Sequence, residues 1–279
     1  MHIFIRLLFA GMCFCSDLFA EDLFTISVLD IGEGDSILLE DKQNNKNILL
    51  DSGTPLAGKK LIAALKARNI KSLDNAIISH PHLDHFGGLF PLETFLHPKK
   101  FYDNGESVSE IKSKEVIYRL YEELARSENY RALREGDKLN LGGLSLTALS
   151  SVGSINSKDW NTNSLVLLAE YKTFKLLLMG DGNKETEKYL AEKYCDRIKH
   201  AILKSGHHGA NDTASEAFLE CLKPPYVIIS VNQGNVLGLP HEETLNRYKN
   251  AAMKVLLTSL NGEILMHVKS DGTYQVKSR

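Results

Sequence analysis

Four side chains able to bind a divalent metal, His80, His82, Asp84 and His85, stand within six residues, directly after the apolar run Asn75–Ser79. Neutral imidazole and carboxylate are the nitrogen and oxygen donors that zinc and similar first-row ions accept. Pro81 between the first two ligands and Gly87-Gly88 after the last favour a tight, specified turn over a loose histidine-rich surface loop. From a turn that follows a strand, His80 and His82 can face one point while Asp84 and His85 reach a second. Such an arrangement suits two ions that share a water.

The rest of the chain has the means to build a core around that turn. Of its 279 residues, 43 % are hydrophobic and 24 % charged, as in compact globular proteins. No Pro/Gly/Ser-rich linker, low-complexity tract or charge block marks a boundary, so residues 21–279 are expected to form one domain. A formal charge of −2 excludes an overall basic field for unspecific nucleic-acid binding and leaves only a local basic groove open. Arg6, the apolar stretch Leu7–Phe14 and Ala20 before Glu21-Asp22 read residues 1–20 as a signal peptide, with an uncleaved anchor as the alternative. The expected destination is periplasmic or secreted, with no stable membrane insertion after cleavage. Two cysteines, Cys195 and Cys221, then remain; an oxidising compartment permits their pairing, but sequence does not show that they meet.

Short apolar segments rich in branched residues alternate with amphipathic ones. Phe24–Leu29, Ser36–Glu40 and Asn47–Leu50 read as an antiparallel opening that ends in Asp51-Ser52-Gly53. Helices are expected at Lys59–Arg68, Glu115–Arg126, Lys184–Tyr194 and Glu242–Ala251. Between and after them, strands are expected at Asn75–Ser79, Leu144–Leu149, Ser164–Glu170, Phe174–Met179, Ala201–Lys204, Tyr226–Val231, Val255–Leu256 and Ile264–Val268. Thr213-Ala-Ser-Glu216 reads as a capping box that opens a helix to Leu222. The whole is a mixed α/β pattern with more hairpins than a doubly wound sheet.

The ligand turn matches the HxHxDH signature of the metallo-β-lactamase superfamily. Within that superfamily, Val28-Leu-Asp-Ile-Gly-Glu-Gly-Asp35, Ile48-Leu-Leu-Asp51-Ser-Gly53 and Asn161-Thr-Asn163-Ser164 resemble the hydrolase domain of the ComEC-type competence proteins. Leu178-Met-Gly180-Asp181 and Lys204-Ser-Gly-His207-His208-Gly209 continue the resemblance in the expected order, over nearly all of the chain after the signal peptide, without membrane-channel segments. The resemblance implies a four-layer αββα sandwich with ligands on loops along one edge. It also implies two divalent ions, zinc first and manganese as the alternative. His80 and His82 would hold one ion, Asp84, His85 and His207 the other, and Asp181 would bridge them. His208 is left to contact substrate or the ligands, with His208 or His241 as a general acid. Asp35 and Asp51 have the chemistry to accept ring N–H bonds from ligand histidines, or are ordinary turn carboxylates.

Two departures from the family pattern stand out. The superfamily's histidine between the ligand turn and the bridging aspartate is missing, since His97 reads as a surface residue, and Asn163 could contribute instead. In Asn235-Val-Leu-Gly238-Leu239-Pro240-His241, Leu237 and Leu239 stand where competence proteins carry tyrosine and histidine, and His241 follows the proline. The expected function is an exported metal-dependent phosphodiesterase or nuclease that uses a metal-activated hydroxide on DNA or another phosphate ester. The alternatives are hydrolysis of a carboxylic ester, lactone, β-lactam or phosphocholine ester, or a non-catalytic module binding DNA or an envelope protein. Lys99-Lys100 and the basic residues up to Arg134 read as the solvated side of a helical insertion, since glutamates interleave with them, and otherwise as a phosphate-binding face. Trp160 reads as a core or rim residue, with stacking on a base as the alternative.

Overall fold

Strands buried on both faces are written as near-continuous apolar runs, and this chain has two sets of them. The computed structural model describes residues 22–108 and 115–279, so the proposed signal peptide lies outside the described residues. Strands β1 (Asp22–Val28), β2 (Ile37–Asp41), β3 (Lys46–Leu50), β4 (Leu73–Ile77), β5 (Pro98–Asp103) and β6 (Tyr130–Ala132) belong to one sheet. With β14 (Ile264–Lys269) and β15 (Tyr274–Ser278) they form eight strands in the order β15-β14-β1-β2-β3-β4-β5-β6. The second sheet holds β7 (Lys138–Leu141), β8 (Leu144–Ser150), β9 (Val166–Tyr171), β10 (Phe174–Leu178), β11 (Ile202–Lys204), β12 (Val227–Ile229) and β13 (Val255–Leu257), in the order β13-β12-β11-β10-β9-β8-β7. Each sheet begins with antiparallel hairpins and continues with parallel strands, from β3 to β6 in one and from β10 to β13 in the other.

Alternation along each strand sorts its residues into layers. Ile37 and Leu39 of β2 meet Leu176 and Leu178 of β10 in the core between the sheets. Leu38, between the first pair, faces outward with Leu49 and Ala76 against Leu61 and Leu65 of the helix Gly58–Ala67 and Tyr121 of the helix Val116–Leu124. Leu177, between the second pair, packs with Leu190, Phe218 and Tyr248 of the helices Lys184–Ile198, Glu216–Leu222 and Glu242–Asn250. This is the expected four-layer αββα sandwich. A disulfide joins Cys195 to Cys221 across two of the outer helices, with Cα atoms 5.5 Å apart. Among the described residues, no helix is long and apolar enough to cross a membrane.

Three expectations need correction. Ser215, not Thr213, occupies the cap position of the helix Glu216–Leu222, and neither forms a capping box. Thr213 Oγ1 bonds its own turn at Ala210 O, and the carboxylate of Glu187 takes the Ala214 and Ser215 N–H groups at 2.5 and 2.7 Å. Lys99 and Lys100 lie on β5 rather than in a helical insertion. Strands β5, β6, β7 and β15 have no counterpart among the expected elements, since β6 and β7 are short and β5 and β15 carry few apolar residues. His97 is exposed, as expected.

Candidate metal centre

Parallel strands from both sheets end at one edge of the sandwich, where open α/β sheets generally receive their ligands. Asp51 follows β3, Ser79 and His80 follow β4, Asp181 follows β10, and His207 and His208 follow β11. His82 caps the one-turn helix Leu83–Phe86, which carries Asp84 and His85. That turn is pressed against the β1–β2 loop so closely that a Cβ on Gly34 would lie 2.0 Å from Asp84 O. On its other side a Cβ on Gly88 would lie 2.0 Å from Ser52 O. Glycine is therefore required at both positions, which fixes the ligand turn between two loops.

Two groups of ligand atoms share Asp181, each with members within 4.8 Å of one another: His80, His82 and Asp181, and Asp84, His85, Asp181 and His208; a third, Asp35, Asp51 and His85, lies on the far side of the His85 ring, whose Nδ1 is taken by Asp51. Asp181 is common to both, with one carboxylate oxygen 3.6 Å from His80 Nε2 and the other 3.2 Å from His85 Nε2. His208 Nε2 lies 3.4 Å from both Asp84 and Asp181. Within the second group, His85 Nε2, Asp181 Oδ1 and His208 Nε2 are buried and have no hydrogen-bond partner. Three orphaned donor atoms aimed at one point are costly unless something coordinates them, and their chemistry fits a divalent ion.

The opposite edges of the rings are held. Asp51, at positive φ, accepts from Ser79 N at 2.7 Å, Ser79 Oγ at 2.8 Å and His85 Nδ1 at 2.9 Å. His208 Nδ1 bonds Ser230 O at 3.0 Å and stands 3.6 Å from Asp35. Asp35 is itself paired with the fully buried Lys204, Nζ to Oδ2 2.7 Å. A ligand imidazole whose far nitrogen is tied in this way has its tautomer and direction set in advance.

The charges are unbalanced. Burial lowers the His80 imidazole well below its ordinary range. Burial would lower His85 too, but the carboxylates of Asp181, Asp51 and Asp84 outweigh it and lift the ring well above that range. His208 behaves likewise, held at about 9 by Asp181 and Asp35 against its burial. Asp181 and Asp84 stay low despite burial because His85 and His208 face them. Four carboxylates thus surround the site, and without a metal the protons on His85 and His208, with Lys204, offset most of their charge; a divalent ion would take over the part that those ring protons play.

Several side chains fall elsewhere than the sequence suggests. His208, not His207, joins Asp84 and His85. His207 and His208 both have positive φ, 45° and 49°, and the turn swings the first ring outward. His207 Nδ1 bonds Asp212 at 3.1 Å and its Nε2 meets Asn161 Nδ2 at 3.2 Å. Asn163 stands apart from the ligands, its amide donating to Glu106 and Ser157 O. The ring of His241 accepts from Asn211 N at 2.9 Å and joins neither group. Lys204, Asn161 and Asp212 were not anticipated; a lysine closing the apolar strand Ala201–Lys204 was the available signal for the first. Trp160 is 9 % exposed and packs on His82, ring centroids 5.3 Å apart, as a rim residue.

The profile described as Metallo-beta-lactamase superfamily matches residues 29–233, a span that contains both ligand groups. The chain is 31 % identical over 268 residues to ComE operon protein 3 of Bacillus subtilis (strain 168), covering 90 % of this chain and 34 % of that protein. To competence protein ComA of Neisseria gonorrhoeae it is 27 % identical over 247 residues, 88 % of this chain and 32 % of the relative. It thus spans about a third of the length of these curated relatives. Among solved structures, the metallo-beta-lactamase fold protein YhfI from Bacillus subtilis aligns with a TM-score of 0.54 and 14 % identity, over 91 % of this chain and 99 % of that one. CmlA, a diiron β-hydroxylase from Streptomyces venezuelae, aligns with a TM-score of 0.58 and 9 % identity, over 88 % of this chain and 54 % of that one. At these identities the likeness is one of fold, and CmlA shows that the fold alone does not set the chemistry. The chain belongs to the metallo-beta-lactamase superfamily, and within it is similar to competence-type proteins.

Proposed function

We propose that the protein hydrolyses phosphodiesters at a two-metal centre. The observation that carries this is the pair of ligand groups sharing Asp181, together with similarity to competence proteins over about nine-tenths of the chain. Two divalent ions, zinc first and manganese second, would supply a nucleophilic water at neutral pH and positive charge for the attacked phosphoryl group. His80, His82 and Asp181 would hold one, and Asp84, His85, His208 and Asp181 the other.

The protein's own residues do the positioning. Asp51 turns His85 Nε2 inward by accepting from its Nδ1, and Ser230 O does the same for His208. Trp160 packs at a tilt against the His82 ring, centroids 5.3 Å apart, and limits its movement. Asp212 holds His207 Nδ1, so that the opposite nitrogen meets Asn161. The Cys195–Cys221 bond suits an oxidising compartment and supports export.

The test is turnover of the small diester bis(p-nitrophenyl) phosphate, with single-stranded DNA as the polymeric comparison, by protein loaded with zinc or manganese, beside an Asp84→Ala/His85→Ala variant. Hydrolysis that disappears in the variant is the expected result. Bound metal with no turnover of either substrate would overturn the reading.

A further inference from the structure

Beside the second ligand group, a narrow cleft is lined by Asp84 and His208 at its floor and by Val231, Leu237 and Leu239 along one wall. Glu33 and two asparagines complete it, and among the described residues no lysine or arginine lines it. Lys60 reaches the neighbouring Gly32, where an added Cβ would lie 3.7 Å from its Nζ. One ammonium at the rim can meet a single phosphate charge. A polynucleotide needs cations along its path, because its affinity comes from neutralised phosphates.

The basic side chains gather elsewhere. Lys46, Lys99, Lys100 and Lys138 line a separate hollow at the starts of β3, β5 and β7. The ligands follow the ends of β3 and β4, so this hollow lies at the far end of those strands from the metal centre.

The apolar wall is displayed by a loop built to keep its shape. Asn235 ties it together: its Nδ2 donates to Asn232 O at 3.0 Å and Leu239 O at 2.7 Å, and its Oδ1 accepts from Leu239 N at 2.9 Å. At the loop's tip Val236 is 95 % and Leu237 65 % exposed, while Leu239 packs inward against the outer core. A self-bonded loop that keeps apolar side chains in water beside a catalytic cleft is a preformed contact for an apolar ligand group.

We infer that this cleft is a subsite for an apolar substituent of the substrate, an aryl or alkyl ester group next to the scissile bond, and that Leu237 and Leu239 select for it. The inference rests on the phosphodiesterase reading for the group attacked, but the apolar contact itself can be measured without turnover. Covering about 50 Å² of apolar surface corresponds to roughly a tenfold gain in affinity.

The experiment is calorimetric titration of the metal-loaded protein with phenylphosphonate and methylphosphonate, repeated with phenylacetate and acetate and with a short single-stranded oligonucleotide. The inference predicts about tenfold tighter binding of phenylphosphonate than of methylphosphonate. In Leu237→Ser, an exposed position whose substitution leaves the core intact, that preference should shrink several-fold while methylphosphonate affinity holds. An aromatic preference seen only with the carboxylates would keep the subsite and overturn the phosphodiesterase reading. No aromatic preference in either pair, or an oligonucleotide that binds more tightly than phenylphosphonate and is insensitive to Leu237→Ser, would overturn the subsite.

Discussion

Asp51 concentrates the logic of the site in one side chain. Its two oxygens accept three hydrogen bonds, two from Ser79 and one from the His85 ring, so it fixes both the exit of β4 and the direction of a ligand. Asp51→Asn is expected to weaken metal binding about 10- to 100-fold with little change in fold, read by competition with a chromophoric chelator. Lys204 and Asp35 form a second such unit under His208. Lys204→Met leaves a buried carboxylate unpaired and should cost about 3–5 kcal/mol in urea unfolding of the metal-free protein, whereas Lys204→Met with Asp35→Asn should recover a large part of that loss. Equal losses in both variants would contradict this pairing. Ligand chemistry was legible in sequence at His80, His82, Asp84 and His85 because all four sit in one turn. Which of His207 and His208 points inward was not, because that depends on two consecutive residues adopting the left-handed conformation. The partners of Asn163 and His241 were not legible either, because a polar side chain near a site bonds whichever group its loop presents, here Glu106 for one and Asn211 for the other.

At the scale of elements, the loop after His208 is tied to the helix Lys184–Ile198 by Glu187. Burial lifts this carboxyl to about 7, although the N–H groups of Ser215 and Ala214 pull the other way. A carboxyl raised on folding binds its proton more tightly in the folded state. Its contribution is therefore complete below about 4.5 and is lost as pH rises through about 7. The unfolding free energy of the wild type minus that of Glu187→Gln should fall by roughly 2–3 kcal/mol between pH 4.5 and pH 8, with metal-ligand titrations cancelling in the difference. A pH-independent difference would mean that Glu187 is ionised throughout. The principal strands and helices were legible because period-2 and 3.6-residue patterns are strong where elements are long and buried. Strand β5 begins Pro98-Lys99-Lys100 and exposes both lysines, so its pattern is carried by three residues and hidden by charge.

For the whole molecule, two sheets that each end their parallel strands at one edge bring Asp51, His80, Asp181 and His208 together from positions more than 150 residues apart. The outer layer over the second sheet is closed by Cys195–Cys221, 26 residues apart in sequence. Reduction should lower stability by about 3 kcal/mol through the entropy returned to the unfolded chain, measured by urea unfolding with and without reductant, and should leave metal content unchanged. That layered frame is the reason a local change at one ligand should act on one ion rather than on the fold. The most direct test of the account is the number of zinc ions per chain, measured by elemental analysis after dialysis, in the wild type, His208→Ala and His207→Ala. The account predicts two, about one and two. At most one ion in the wild type, or an ion lost from His207→Ala and kept in His208→Ala, would contradict it.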